Sequence, residues 1–90
     1  MHDFSIELGL KAKLRKLYKK DRKTYDTLMS KMDEIVTSDK IEHYKNLRKP
    51  LQRFKRVHVM KSFVLIFKYD KSKDSIEFYD FSHHNEVYRK

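Results

Sequence analysis

Ninety residues are enough for one domain, and the absence of cysteine excludes disulfides and thiolate metal sites. Twenty-two Lys and Arg against thirteen Asp and Glu give a formal charge of +9, which draws so small a domain towards polyanions. No apolar run approaches the ~20 residues of a membrane span, and Met1-His2-Asp3-Phe4 has no signal-peptide pattern, so a single cytoplasmic domain over residues 1–90 is expected.

A solvated basic surface would give the same total charge, but the distribution favours a nucleic-acid partner. Residues 45 to 61 carry Lys45, Arg48, Lys49, Arg53, Lys55, Arg56 and Lys61 with no acid among them. Residues 11 to 23 carry eight basic residues and one acid, Asp21. The acids gather mainly in 26 to 42 and 70 to 86.

In chain order, Phe4, Ile6 and Leu8 alternate with Ser5 and Glu7, a period of two that predicts a short strand ended by Gly9. Leu10, Leu14, Leu17 and Tyr18 then share one face of a helix over 10–20. Asp21 is placed to cap a second helix over 22–37, with Tyr25, Leu28, Met29, Met32, Ile35 and Val36 facing the core. The pair reads as a helical hairpin packed on a sheet. Thr37-Ser38-Asp39 breaks the pattern, residues 41–46 suit one further turn, and Pro50 disfavours helix at Lys49.

Three strands follow. In residues 53–60, Val57 and Val59 point one way, and Phe54, Arg56, His58 and Met60 the other. Residues 62–69 are apolar on both faces, as in a central strand covered on both sides. The link between these two is tight enough for an antiparallel hairpin. After a polar turn, 70–74, the last strand runs over 75–81 into Ser82-His83-His84-Asn85-Glu86-Val87-Tyr88. The fold class is α+β: an N-terminal strand, a helical hairpin, then a three-stranded antiparallel meander with the helices on one face.

The face away from the helices would carry Arg56 and His58, with Phe63 or its neighbours beside them and the strand end adding His83, His84 and Tyr88. A basic face with titratable groups and aromatics suits single-stranded RNA, whose phosphates meet Arg and Lys and whose bases stack on rings. RNA carries its own nucleophile. A base that takes the 2′-hydroxyl proton lets that oxygen attack phosphorus, and an acid protonates the departing 5′-oxygen. Histidine suits both roles, and a nearby Arg neutralises the transition-state charge. This route needs neither metal ion nor cofactor, and no further ligands stand at zinc spacing from His83 and His84. Adjacent strand residues face opposite sides, so His84 is assigned to the site and His83 to the other face. A lone strand histidine such as His58 is more often structural, and Tyr88 could simply anchor the chain end. His2 and His43 read as plain surface residues.

Arg56-Val57-His58-Val59, then Phe63-Val64-Leu65-Ile66-Phe67, then His84-Asn85-Glu86-Val87-Tyr88 resemble the RelE/ParE superfamily of toxins, most nearly its YafQ-like branch. Leu17-Tyr18-Lys19-Lys20 and Leu47-Arg48-Lys49-Pro50-Leu51 add to the resemblance, which spans nearly the whole chain. The resemblance implies a RelE-like microbial RNase fold and a toxin held inactive by a cognate antitoxin. It also implies an endoribonuclease that cuts mRNA on the ribosome and arrests translation. By position, His84 matches the C-terminal catalytic histidine of YafQ-like members and His58 a functional histidine on the first meander strand. Tyr88 matches the RelE-like tyrosine, Arg56 a basic residue, and Phe63 an aromatic that contacts a base. The chain departs from the pattern in having Ser62 where YafQ-like toxins have aspartate, Lys45 where they have histidine, and Val64 near where RelE-like members have arginine. Two other readings are a ParE-like inhibitor of DNA gyrase and a plain RNA-binding domain.

Overall fold

The structure, a computed structural model, describes residues 2–83. Among them, strand β1 (Asp3–Ile6) leads into helices α1 (Leu8–Lys20) and α2 (Arg22–Thr37). A 3-10 turn at Ile41–His43 and a two-residue strand β2 (Lys45–Asn46) follow, then β3 (Lys55–Val59), β4 (Phe63–Asp70) and β5 (Ser75–His83). The strands form one sheet in the order β1-β5-β4-β3-β2. β1 runs parallel to β5, and the other neighbours are antiparallel. The expected α+β order and helical hairpin are present. No helix among the described residues is long and apolar enough to cross a membrane.

The helices lie on one face of the sheet because their apolar stripes bury there. Leu10 and Leu14 of α1 and Leu28, Met32, Ile35 and Val36 of α2 pack on Val59, Leu65, Phe67, Ile76, Phe78 and Phe81. Asp21 caps α2 as expected, its carboxylate accepting from the Thr24 amide at 3.1 Å and the Thr24 hydroxyl at 2.7 Å. The start of α1 differs from the sequence reading. β1 stops at Ile6, and Leu8 and Gly9 open the helix rather than closing the strand. The Glu7 carboxylate accepts from the Gly9 amide at 2.8 Å, so a side-chain cap overrides the alternation and leaves Leu8 77% exposed.

β4 is covered on both faces, as its sequence predicts. Leu65 and Phe67 enter the helix-side core, while Val64 and Ile66 pack with Leu47 and Phe54 in a smaller cluster on the other face. That second cover comes from the loop between β2 and β3. The loop is closed by bonds from the Leu47 amide to the Phe54 carbonyl (2.9 Å) and from the Asn46 side chain to the Gln52 carbonyl (2.7 Å). The sequence reading offers only a turn over 41–46, and β2 is additional to it.

β5 carries the feature that sets the site's geometry. Its register against β4 shifts between Ile66 and Phe67: Ile66 pairs with Asp80, Phe67 pairs with Phe78, and Tyr79 is the extra residue. A bulge of this kind puts two residues opposite one and reverses the alternation beyond it. Hence Phe78 and Phe81, three apart, both reach the helix-side core. The bulge is tied down by Lys13 of α1, which donates to Asp80 at 2.6 Å and to the Ser82 hydroxyl at 3.2 Å. The Phe81 amide also donates to Asp80, at 2.9 Å.

Candidate active site

Strand register decides which side chains meet on the face away from the helices. His58 pairs with Val64, and Val64 with Ser82, making one row across β3, β4 and β5. The next row runs Lys45, Arg56, Ile66, Asp80. His58 and Lys45 are exposed and Arg56 is half-buried. Val64 and Ile66 form an apolar floor between the strands. The structure thus brings Arg56 and His58 to one open face, two residues apart on one strand, as the alternation predicts.

The other basic residues divide. Arg48, Lys49 and Arg53 are exposed on the β2–β3 loop, and Lys61 is exposed in the β3–β4 turn. Lys55 does not belong with them. It shares the parity of Val57 and Val59, is 9% exposed, and donates from its ammonium to the Tyr44 carbonyl (3.1 Å) and Asn46 Oδ1 (3.2 Å). Its charge is committed to holding β2 and the preceding turn against β3.

Phe63 also lies elsewhere than expected. The three-residue turn 60–62 makes Val59 and Phe63 partners, so Phe63 faces the helices while Val64 takes the place beside His58. Its ring stacks on Phe81 at 5.1 Å and meets the His83 ring edge-on at 5.8 Å. His83, paired with Phe63, is therefore on the face opposite His58, as the sequence reading has it. His84 and Tyr88 lie outside the described residues. What sequence reasoning missed on the outer face is Tyr79, 45% exposed and with its ring 4.8 Å from that of Phe54. The alternation of Ile76 and Phe78 was the available signal, and the break before Phe81 marks the bulge.

Among the described residues, no three His, Asp or Glu side chains gather as metal ligands would. Two acids of the outer face have basic neighbours, Asp80 with Lys13 at 2.6 Å and Glu77 with Lys68 at 3.7 Å. A separate polar network surrounds His2. Its Nδ1 lies 2.5 Å from Asp74 Oδ1 and its Nε2 lies 2.6 Å from the Ser38 carbonyl. Both neighbours turn oxygen atoms to the ring, and the Ser38 carbonyl, then Asp74, raise the pKa above its ordinary 6.5. The Tyr69 hydroxyl donates to the same Asp74 oxygen at 2.8 Å and, with His2, lowers the Asp74 pKa. His2 thus clasps β1 to the end of α2 and the β4–β5 turn, and is no plain surface residue.

The helical hairpin on a mixed sheet, with a basic open face, defines a small α+β domain. The isolated Escherichia coli RelE toxin has this fold, with a TM-score of 0.72 at 16% identity over 99% of this chain and 97% of that one. The E. coli DinJ–YafQ complex gives 0.63 at 17% identity over 98% and 99%. No family model matches the sequence. A protein of Methanocaldococcus jannaschii, provisionally named toxin RelE4, is 44% identical over 90 residues, all of this chain and 94% of that protein. The chain belongs to the RelE family of toxins.

Proposed function

We propose that this chain is the toxin of a toxin–antitoxin pair and acts as a metal-independent endoribonuclease on mRNA at the ribosome. The observation that carries this reading is the placement of Arg56 and His58 on one open, basic face of the sheet, with Val64 and Ser82 completing the row. β5 brings the chain to His83, the residue before His84.

In the proposed reaction, one histidine of the pair His58 and His84 takes the 2′-hydroxyl proton. The 2′-oxygen bonds to phosphorus, and the bond from phosphorus to the 5′-oxygen breaks. The other histidine supplies the proton that the leaving oxygen needs, and the products are a 2′,3′-cyclic phosphate and a 5′-hydroxyl end. Positioned proton transfer contributes roughly 10²–10⁴-fold. Arg56 neutralises the pentacoordinate phosphorus as charge builds on its oxygens. Tyr88 completes the site in this reading, and Lys45, Arg48, Lys49, Arg53 and Lys61 hold the flanking phosphates. The RelE family membership and the likeness to YafQ support these roles for His84, Tyr88 and the ribosome.

The antitoxin partner is inferred from the DinJ–YafQ complex and from a formal charge of +9, which suits an acidic covering segment. Expression of the chain without its partner, with mapping of mRNA 5′ ends, tests the proposal. New 5′-hydroxyl ends and growth arrest are expected from the native chain, and neither from His84→Ala at equal folded level. Full toxicity of His84→Ala, or inhibited DNA supercoiling with intact mRNA, would overturn the assignment.

A further inference from the structure

The outer face holds an aromatic platform that the cleavage chemistry does not use. Alternation from Ile76 and Phe78 puts Tyr79 on the face of Arg56 and His58, and the bulge keeps Asp80 on that same face beside it. The Tyr79 ring is backed by Phe54 at 4.8 Å and a tilt of 41°, and Phe54 is itself fixed in the cluster with Leu47, Val64 and Ile66. One side of the tyrosine is therefore propped by a buried ring while 45% of the residue stays open to solvent.

Cations ring the same spot. The Arg53 guanidinium carbon lies 5.3 Å from the Phe54 centroid and Lys68 Nζ lies 5.8 Å from it. Glu77 is 3.7 Å from Lys68, too long for a tight pair, and the Lys68 side chain is 42% exposed. An exposed ring propped on a second ring that two cations approach matches what single-stranded RNA offers, a base plane next to a phosphate. Strand spacings put Tyr79 about 12 Å from His58, within reach of one RNA strand crossing the face.

We infer that Tyr79, propped by Phe54, the ring that Arg53 and Lys68 approach, is a stacking subsite for a base of the single-stranded RNA crossing this face. The inference rests on the RNA-directed reading above and adds a residue that positions the strand rather than one that reacts. Its selectivity is for an unpaired base, since a paired one has no free π-face at the sheet.

The chain has no tryptophan, so Tyr79→Trp introduces a single fluorescent reporter at the platform. The probe is a short oligoribonucleotide made uncleavable by 2′-deoxy substitution, titrated against folded protein at fixed salt. Quenching of the introduced indole is expected. So is a rise in Kd of about five- to a hundredfold for Tyr79→Ala, with Tyr79→Phe within about twofold of the native chain. An unquenched reporter with equal Kd values for the Ala and Phe variants would overturn the subsite. Because the probe cannot be cut, this outcome is independent of cleavage. A chain that leaves mRNA intact yet shows quenching would sink the nuclease reading and keep the subsite.

Discussion

The two faces of β4 are closed in different ways. Leu65 and Phe67 sit under two helices in a cluster of thirteen buried residues, whereas Val64 and Ile66 cluster with two buried residues, Leu47 and Phe54. The first face is sealed by periodic side chains. The second is half sealed by a loop, and its uncovered part is where Arg56 and His58 stand. One face supplies the stability, and the other can then remain open and charged without unfolding the domain.

The largest expected effect separates the two faces directly. Leu65→Ala empties a fully buried site and should cost about 4–5 kcal/mol, a large share of the ~5–15 kcal/mol that holds a small domain. Ile66→Ala, next along the strand but on the thinner face, should cost about 2–3 kcal/mol. Urea titrations of both variants measure the gap, and equal losses would contradict the account of the two covers.

The basic residues give the next contrast. Lys55→Met keeps the apolar stem but leaves the Tyr44 carbonyl and Asn46 without a donor, and should cost about 1.5–3 kcal/mol. Arg53→Ala should leave the melting temperature unchanged within error and flatten the salt dependence of RNA binding by about one phosphate contact. Reversed results would place Lys55, not Arg53, on the RNA.

The smallest effect concerns the His2 clasp. Its raised pKa stabilises the fold fully below the ordinary value of 6.5, and that contribution fades as pH rises through the folded value. The lowered Asp74 pKa works in the opposite sense, adding stability above the ordinary carboxylate range and losing it as pH falls. Melting curves from about pH 6 to about pH 8 should therefore fall more steeply for the native chain than for His2→Ala. Parallel curves would show that the clasp carries no charge.

Much of this architecture is legible in the residues. The spacing of Leu10, Leu14, Leu28, Met32 and Ile35 gives both helices, and the apolar run of β4 declares a strand covered twice. Alternation along β3 places Arg56 with His58, and the same counting, carried two residues back, puts Lys55 with Val57 on the core face. What periodicity does not encode is register. The length of the 60–62 turn sends Phe63 to the helices, and the bulge at Tyr79 resets the parity of β5. β2 is two residues long and exists through its pairing with β3, and a side-chain cap at Glu7 turns an apparent strand end into a helix start. The site was readable where it followed alternation and unreadable where tertiary pairing broke it.

If RNA is cut on the open face, a pair of histidines on opposite faces tests it most directly. His58→Ala and His83→Ala, each checked for an unchanged melting temperature, are compared with the native chain on ribosomes carrying a defined mRNA, and the new 5′ ends are counted. Cleavage on the open face predicts a loss of about a hundredfold or more for His58→Ala and cleavage within a few fold of native for His83→Ala. Native cleavage by His58→Ala, or an equal loss in both variants, would contradict it.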